Sequence, residues 1–478
     1  MRNYCGSNYI CFNQKYFLFL KEHISTFNKF YQLFMIKKYY ELLSEFIAFK
    51  SISPDKHFSE ELKKSADWLA NLFQDHGLDA QIIHGFGNPI VLAKHDPDVS
   101  GQGGSGLPTC LIYGHYDVQT ADISEGWKHD PFEMASDKKK IYGRGVADDK
   151  GQILIYILTV LSLIKKKQLG YNVIFMLEGD EEIGSPGLEK FLQGYKDMLK
   201  SDFALISDSD IVGDSPCIDA GYRGACNVKL KLKTANTDVH SGAYGGVVPN
   251  AIHEANKLLS KLFDLNNRVT VPYFYYNVED IQTDVLVKNR RMKVDTEKMM
   301  LDFGFKTIFK DKEYDHRTQI GLMPTIQVTG IHSGHVGEGF KNAIPATAMI
   351  HLNFRLVKNQ HIDDVMKAFD QRVKATLPEY VDYELIVCDK AAPSKVVLTS
   401  KYHKKAETIL KALREKEVFY KYSGGTLPIV NLFTDILGTE VVLIPLANEN
   451  CNPHGVDENF DIDLIEKGFD FAHEFLKK

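Results

Sequence analysis

The sequence predicts a discontinuous α/β domain, with a mixed, mostly parallel sheet and helices on both faces, interrupted by an inserted α+β domain. From Met35 to about residue 222, short apolar runs alternate with segments of helical length, as in a sheet covered by helices. Near Arg223 the pattern changes to strict alternation of apolar and lysine residues, which is typical of a sheet with one face in water. The first pattern returns after Pro393, so the chain leaves one domain and comes back to it.

The strands of the first domain follow from continuous apolar runs, because a strand buried on both faces shows no polar alternation. Predicted strands are residues 89–94, 109–113, 172–177, 203–206, 418–422 and 440–445. Helices are predicted at residues 36–49, 150–163 and 464–476, and a Gly/Ser-rich loop at 101–106. The predicted boundaries of this domain are residues 35–222 and 394–478.

The inserted domain is predicted at residues 223–393. The segment from Val228 to Lys233 alternates between an apolar face and a lysine face, and residues 350–356 repeat the alternation on a later strand. Helices are expected near residues 249–263 and 361–376. Strands such as the one from Val228 to Lys233 are expected to leave an exposed edge that pairs across a two-fold axis.

Charge and cysteine content exclude some classes of function. The chain has 478 residues, a net charge of −6 and a pI near 6.3, so it lacks the basic footprint of a nucleic-acid-binding protein. Its seven cysteines are scattered and include no CxxC pair. This pattern favours free thiols in a reducing, cytoplasmic compartment.

Residues 1–34 are interpreted as an N-terminal extension that carries no site residue. The apolar run from Tyr16 to Leu20 is too short to span a bilayer, and the cleavage site of a secretory signal is missing. Two alternatives remain open: either Met35 is the true translation start, or the N-terminal region is an ordinary helix packed on the domain.

Acidic and histidine residues follow several of the predicted strands. His115 and Asp117 come directly after the strand 109–113, and their spacing places both on one side of an extended chain. A carboxylate beside a metal-bound histidine fixes its tautomer, although a lone histidine can also simply cap a strand end. Asp148 and Asp149 lie between glycines just before a helix, where an N-cap would explain one acid but not two.

The end of the strand 172–177 carries four acids in five positions, among them Glu181 and Glu182. Such acids repel one another unless a cation lies among them, although solvated acidic turns are common. Asp208 and His454 follow two further strands and could each belong to a turn. Together the sites supply mixed nitrogen and oxygen ligands, which suit zinc, manganese or cobalt, and there are enough acids for two ions.

As a set these segments resemble a known family. The motifs GHYDVQ, YGRGVADDKG, EGDEEIGS, ISDS, HSGAYGG and NPHG have the order and spacing of the aminoacylase/carboxypeptidase-G superfamily of di-zinc peptidases. The first two motifs and HSGAYGG resemble the branch of carnosinase and cytosolic non-specific dipeptidase. The resemblance extends from about Met35 to the end of the chain.

The resemblance implies a role for each residue of the centre. One divalent ion would be held by His115, Asp148 and Asp208, and a second by Asp148, Glu182 and His454. Zinc is the implied metal, with manganese or cobalt as alternatives. Glu181 would be the general base on a bridging water, and Asp117 would orient His115. A cis peptide bond between Asp148 and Asp149 is also implied.

The resemblance further implies a homodimer in which the inserted domain acts as a lid and dimerisation domain. His240 would reach the site of the partner subunit, and Arg355 would bind the substrate carboxylate. Without the resemblance, His240 would be taken as a helix or turn histidine near Ser241 and Gly242, and Arg355 as a surface strand residue. The segment Gly424, Gly425 and Thr426 resembles a loop that binds the substrate backbone.

Two segments depart from the family pattern. Tyr422 and Ser423 replace an Arg-Glu pair before the two glycines, and Asn342 and Ala343 replace a Thr-Val pair. Both lie in substrate-recognition segments, so the metal centre is better supported than the substrate. The predicted activity is metal-dependent hydrolysis of the amide bond of dipeptides or short peptides. The alternatives are an N-acyl-amino-acid deacylase with the same centre and a non-catalytic metal-binding scaffold. No nucleic-acid or membrane partner is expected.

Overall fold

The computed structural model describes residues 29–96, 106–309 and 311–478. These form two compact units. The first comprises the described residues up to Ala220 with Val396–Lys421 and Leu432–Lys478, and the second comprises Gly221–Lys395 and Tyr422–Asn431. Most of the predicted N-terminal extension, and all of the predicted Gly/Ser-rich loop except Gly106, lie outside the described residues.

A six-stranded sheet forms the centre of the first unit. Its strands lie in the order Asp79–Ile83, Ile90–His95, Asn172–Glu178, Thr109–His115, Phe203–Ile206 and Glu440–Leu443. The first three are joined by antiparallel pairing and the last four by parallel pairing. The predicted mixed, mostly parallel sheet is therefore confirmed, and the carboxyl ends of its parallel strands share one edge.

Helices pack on this sheet to form the core of the unit. They are Lys29–Ala48, Ser59–Asp75, Lys150–Lys165, Leu188–Tyr195, Lys401–Arg414 and Ile462–Leu476. The helix Lys150–Lys165 is buried along almost its whole length, because its residues are apolar on every face. The first helix begins at Lys29 rather than at the predicted residue 36. No proline or glycine interrupts the intervening residues, and Met35 and Tyr39 are buried in the core.

Shorter elements connect these segments. Three-residue helical turns lie at Lys56–Phe58, Ile123–Glu125 and Glu181–Ile183, with further short helices at Ile429–Leu432 and Phe433–Leu437. Short strands are Ala135–Ser136, Lys140–Tyr142, Cys217–Tyr222, Ser394–Lys395, Phe419–Ser423 and Asn459–Asp461.

The second unit is built on a four-stranded antiparallel sheet. Its strands lie in the order Thr325–Ser333, Thr347–Leu356, Gly224–Lys233 and Asp382–Ala391. The expectation that the strand containing Val228 to Lys233 has an exposed edge is wrong, because this strand is paired on both sides. Its alternating lysines mark a face in water, and alternation carries no information about which strand lies at an edge.

Helices cover the apolar face of this sheet. They are Ala251–Leu259 and Ile362–Thr376. The unit also contains the helices Thr283–Arg291, Thr296–Phe303 and His316–Leu322, the short helix Ser241–Tyr244, and the paired strands Val239–His240 and Ala343–Ile344. Leu230, Ile350 and Phe354 on the sheet pack in one core with Leu258 and Phe369 on the helices.

Two further features belong to the described residues taken together. No described helix has both the length and the apolar character needed to cross a bilayer. The described cysteines, which are Cys110, Cys217, Cys226, Cys388 and Cys451, are all free thiols.

Candidate metal centre

The predicted ligands meet at the edge where the parallel strands of the first unit end. Thr109–His115 ends on His115, and the neighbouring strands lead into Glu182 and Asp208. Asp148 lies just before the helix Lys150–Lys165, and His454 lies in a turn after Glu440–Leu443. In open α/β sheets, binding sites form outside this edge, and here it collects all five predicted ligands.

The five side chains form two groups that share one carboxylate. In the first, Nε2 of His115 lies 3.0 Å from Oδ1 of Asp148 and 3.8 Å from Oδ1 of Asp208. In the second, Nε2 of His454 lies 3.0 Å from Oδ2 of Asp148 and 3.0 Å from Oε2 of Glu182. The candidate ligand atoms of each group lie within 4.8 Å of one another. Asp148 therefore presents one oxygen to each group, as a bridging ligand must.

The centre contains more carboxylates than positively charged groups that could balance them. Burial raises the pKa of Glu181 well above its ordinary value, and burial likewise raises the pKa values of Glu182 and Asp208. Burial would also raise the pKa of Asp148, but hydrogen bonds to His115 and His454 lower it well below its usual range. Hydrogen bonds to Asp148 and Glu182 raise the pKa of His454 to about 10.

The surplus of carboxylates and the chemical types of the candidate ligands indicate whether these residues could bind metal ions. Neighbouring carboxylates cannot all be ionised in a buried site without a cation between them. Two divalent ions would supply that charge and would replace the proton held on His454, since imidazole ligates metals in its neutral form. Imidazole and carboxylate are ligands of zinc, manganese and cobalt. The residues therefore fit two divalent ions.

Asp117 connects the candidate ligand His115 to the turn that carries Glu181 and Glu182. Its Oδ1 lies 3.3 Å from Nδ1 of His115, and its two carboxylate oxygens accept the backbone N–H groups of Glu181 and Glu182 at 3.3 Å and 3.1 Å. The buried hydroxyl of Ser53 donates to Oδ2 of Asp117 at 2.6 Å. The backbone carbonyl of Asp117 lies closer to the same ring nitrogen, at 3.1 Å. Asp117 therefore contacts the histidine ring through both groups and holds the backbone of the two glutamates through its carboxylate.

The other two acids of the same turn have partners outside the centre. Asp180 accepts the backbone and side-chain N–H groups of Asn88 at 2.8 Å and 2.5 Å. Gly87, at φ +110°, allows this approach, because a Cβ there would overlap the Asp180 carboxylate. The Tyr113 hydroxyl donates to Glu178 at 2.6 Å, and burial raises the pKa of Glu178 to about 7. Only Glu181 and Glu182 remain for the site.

The loop that carries Asp148 is organised by Glu458. This buried carboxylate accepts the backbone N–H groups of Gly145, Ala147 and Asp148 at 2.9–3.1 Å and pairs with Nη1 of Arg144 at 2.7 Å. The Asp148–Asp149 peptide bond is cis, as the resemblance implies. A charge-assisted network of this kind holds Asp148, the candidate ligand common to both groups, in position.

Comparisons with known proteins agree with this geometry. The model of peptidase family M20/M25/M40 matches residues 111–478. The chain belongs to this peptidase family. The resemblance drawn from the motifs is confirmed, and so is the expectation of a metal-dependent peptidase.

Three similar proteins illustrate the position of the chain within the M20 family. It is 28% identical to the probable di- and tripeptidase DUG2 of Saccharomyces cerevisiae, over 88% of this chain but 48% of that longer protein. It is 26% identical to the Cys-Gly metallodipeptidase dug1 of Schizosaccharomyces pombe, over 93% of this chain and 96% of that one. The crystal structure of human carnosine dipeptidase 1 superposes with a TM-score of 0.78 at 25% identity, over 97% and 98% of the two chains.

In this M20 peptidase, His240 lies in the second unit and is exposed. It precedes the short helix Ser241–Tyr244, and its Nδ1 accepts the backbone N–H of Gly242 at 3.0 Å. The helix-terminal role considered from the sequence is therefore present. Because Nδ1 is an acceptor, the neutral ring carries its proton on Nε2, which is then a hydrogen-bond donor.

Arg355 also lies in the second unit, where it meets the predicted glycine loop. Its Nε donates to Asn353 at 3.1 Å, and its Nη1 donates to Oγ1 of Thr426 at 2.8 Å. The Thr426 hydroxyl donates to the carbonyl of Arg223 at 2.8 Å, and Nε of Arg223 donates to the carbonyl of Gly424 at 3.2 Å. The structure therefore brings Arg355, Gly424 and Thr426 together. Gly425 is held through its own N–H, which donates to Ser423.

Several residues of these networks were not predicted from the sequence. They are Ser53, Arg223 and Glu458, each of which contacts a predicted site residue or its backbone, and Asn88, which contacts Asp180 next to Glu181. Glu458 is an acid in a polar turn, four positions after His454. Its position beside the NPHG motif could therefore have indicated a role at this site. The others have no local signature, because their partners are distant in the chain.

Proposed function

We propose that the protein hydrolyses the peptide bond of dipeptides or short peptides with a free carboxyl terminus, using two divalent ions. The observation that carries this proposal is the pair of candidate ligand groups that share Asp148, with the half-buried Glu181 next to them and a member of neither. A metal-binding scaffold would need the five ligands but not Glu181. The dipeptidase names of the relatives favour short peptides as substrates.

The residues of the chain divide the chemistry between them. Two bound cations would lower the pKa of a shared water and polarise the scissile carbonyl. Glu181 accepts a proton from the attacking water and returns it to the departing amine. Burial raises the pKa of Glu181, so its carboxylate can hold the proton after accepting it from water and before returning it to the amine. Asp117 keeps the backbone of Glu181 in place.

His240 is proposed to stabilise the oxyanion in the active site of a partner subunit. Its Nε2–H is the free donor of the ring, since Nδ1 is already engaged with Gly242. A donor of this kind stabilises charge that develops on the carbonyl oxygen. The protein would accordingly be a homodimer. Zinc is the proposed metal, and the free thiols favour a cytoplasmic location.

Removal of metal tests the proposal. Treatment with a chelator is expected to abolish hydrolysis of a panel of dipeptides, and Zn²⁺, Mn²⁺ or Co²⁺ is expected to restore it, because Asp148 binds in both ligand groups. The same panel should contain N-acetyl amino acids, which a deacylase would prefer. A metal-free sample with full activity would contradict the two-metal centre, and a preference for acetylated substrates would contradict the peptidase.

Arg355 is expected to recognise the substrate carboxylate. Its Nη1 is held by Thr426 and its Nε by Asn353, which orients the planar guanidinium for a bidentate contact. Dipeptides with an amidated carboxyl terminus should therefore be poor substrates. Arg355→Lys should raise KM about 10- to 100-fold with little change in kcat, since lysine cannot form the bidentate contact. Equal kcat/KM for amidated and free dipeptides would show that Arg355 has another role.

A further inference from the structure

Two histidines lie side by side on the solvent face of the sheet in the second unit. His332 is on the strand Thr325–Ser333, and His351 is on its antiparallel neighbour Thr347–Leu356. His332 is exposed and His351 is half-buried. Neither residue belongs to the ligand groups around Asp148.

The backbone between the two rings is irregular. The register of the two strands shifts between Val328 and Gly330, which places Gly330 opposite His351. Bulges of this kind re-aim side chains and occur next to binding sites. Glycine within a strand also marks a place where other groups approach closely.

The two ring nitrogens converge over this glycine. A Cβ on Gly330 would lie 3.3 Å from Nδ1 of His351 and 3.5 Å from Nε2 of His332. The ring centroids are 5.2 Å apart and the ring planes are inclined by 54°, so the rings are tilted toward each other rather than stacked. Within the described part of the chain, neither imidazole nitrogen has a hydrogen-bond partner.

We propose that His332 and His351 chelate one transition-metal ion in the space above Gly330. Small side-chain rotations bring two such nitrogens to the bond length of about 2.0–2.1 Å that imidazole ligands require. Imidazole pairs suit Cu²⁺, Ni²⁺ and Zn²⁺, and Cu²⁺ binds most tightly in this series. Calcium and magnesium are excluded because they require oxygen ligands.

The neighbouring side chains indicate which ion this pair of histidines would prefer. Lys229 lies opposite His351 on the other neighbouring strand. Its positive charge repels cations, so an ion held only by electrostatic attraction is disfavoured. Met349 lies directly opposite His332 and offers a thioether, a soft ligand that copper accepts. The surroundings therefore favour an ion bound through strong nitrogen coordination, and Cu²⁺ is the probe of choice.

The proposal is tested by titrating the zinc-loaded enzyme with up to one equivalent of Cu²⁺. Paramagnetic resonance is expected to show one copper coordinated by two imidazole nitrogens, with the zinc content and peptidase activity unchanged. His332→Gln and His351→Gln should each weaken binding about 100-fold or more, because either change turns a chelate into a single ligand. The double variant should lose little more than either single variant, because the one imidazole left in each single variant already binds copper weakly.

Two further variants complete the test, the first as a matched control and the second as a change to the proposed site itself. His335→Gln removes an exposed histidine in the loop after the same strand and should leave copper binding unchanged. Gly330→Ala should weaken it, because the added methyl group occupies the space between the two nitrogens. Losses that add in the double variant, or copper that binds only by displacing zinc, would overturn the proposal. Neither result would bear on the peptidase activity, which uses none of these residues.

Discussion

Glu181→Gln is expected to retain both metal ions and yet lower kcat by about 10²- to 10⁴-fold, the range found for general acid–base catalysis. The glutamine has the shape of glutamate but cannot accept a proton from water. Glu181 belongs to neither ligand group, and Asp117 holds its backbone N–H, so the change should leave the centre in place. Metal content and steady-state kinetics on one preparation check both halves of this expectation.

Glu182→Gln is the matched control because it makes the same chemical change at the next residue. Oε2 of Glu182 lies 3.0 Å from Nε2 of His454 and is a candidate ligand atom. An amide is a weaker ligand than a carboxylate, so this variant should lose metal, and excess metal should restore part of its activity. Equal metal loss in the two variants would show that base and ligand have been assigned wrongly.

The convergence of the five candidate ligands could be predicted from the sequence because their signals are local. Each one follows an apolar run or precedes a helix, and the parallel direction of the strands in an α/β sheet brings such ends to a common edge. The run 203–206 is observed as the strand Phe203–Ile206, and Asp208 follows it as predicted. Each apolar run predicts a strand, and the end of that strand predicts where the acid that follows it lies.

The supporting contacts could not be predicted because they join distant parts of the chain. Ser53 reaches Asp117 across 64 positions, and Glu458 reaches Asp148 across 310. A serine or glutamate on its own predicts no partner at such separations. The position of a strand within its sheet is similarly hidden. The lysine face from Val228 to Lys233 predicted a solvent face, while strand order depends on pairings with residues more than 100 positions away.

A mixture of two nearly inactive variants is expected to regain activity if His240 serves the site of the partner subunit. In a dimer of one Glu181→Gln subunit and one His240→Ala subunit, the His240→Ala subunit keeps its own Glu181. It receives an intact His240 from its partner, so that site is complete, while the other site carries both changes. The heterodimer should therefore reach about half the wild-type rate, one working site of two.

The alternative arrangement gives the opposite result. If His240 served its own chain, each site of the heterodimer would carry one of the two changes, and no mixture would recover. Co-expression with two different affinity tags isolates the heterodimer, and its rate is compared with those of both parent homodimers. The exposed position of His240 and the donor left on its Nε2 suit a contact across an interface. A purified heterodimer as inactive as its parents would rule out the shared site, whereas recovery would make dimerisation a requirement for catalysis.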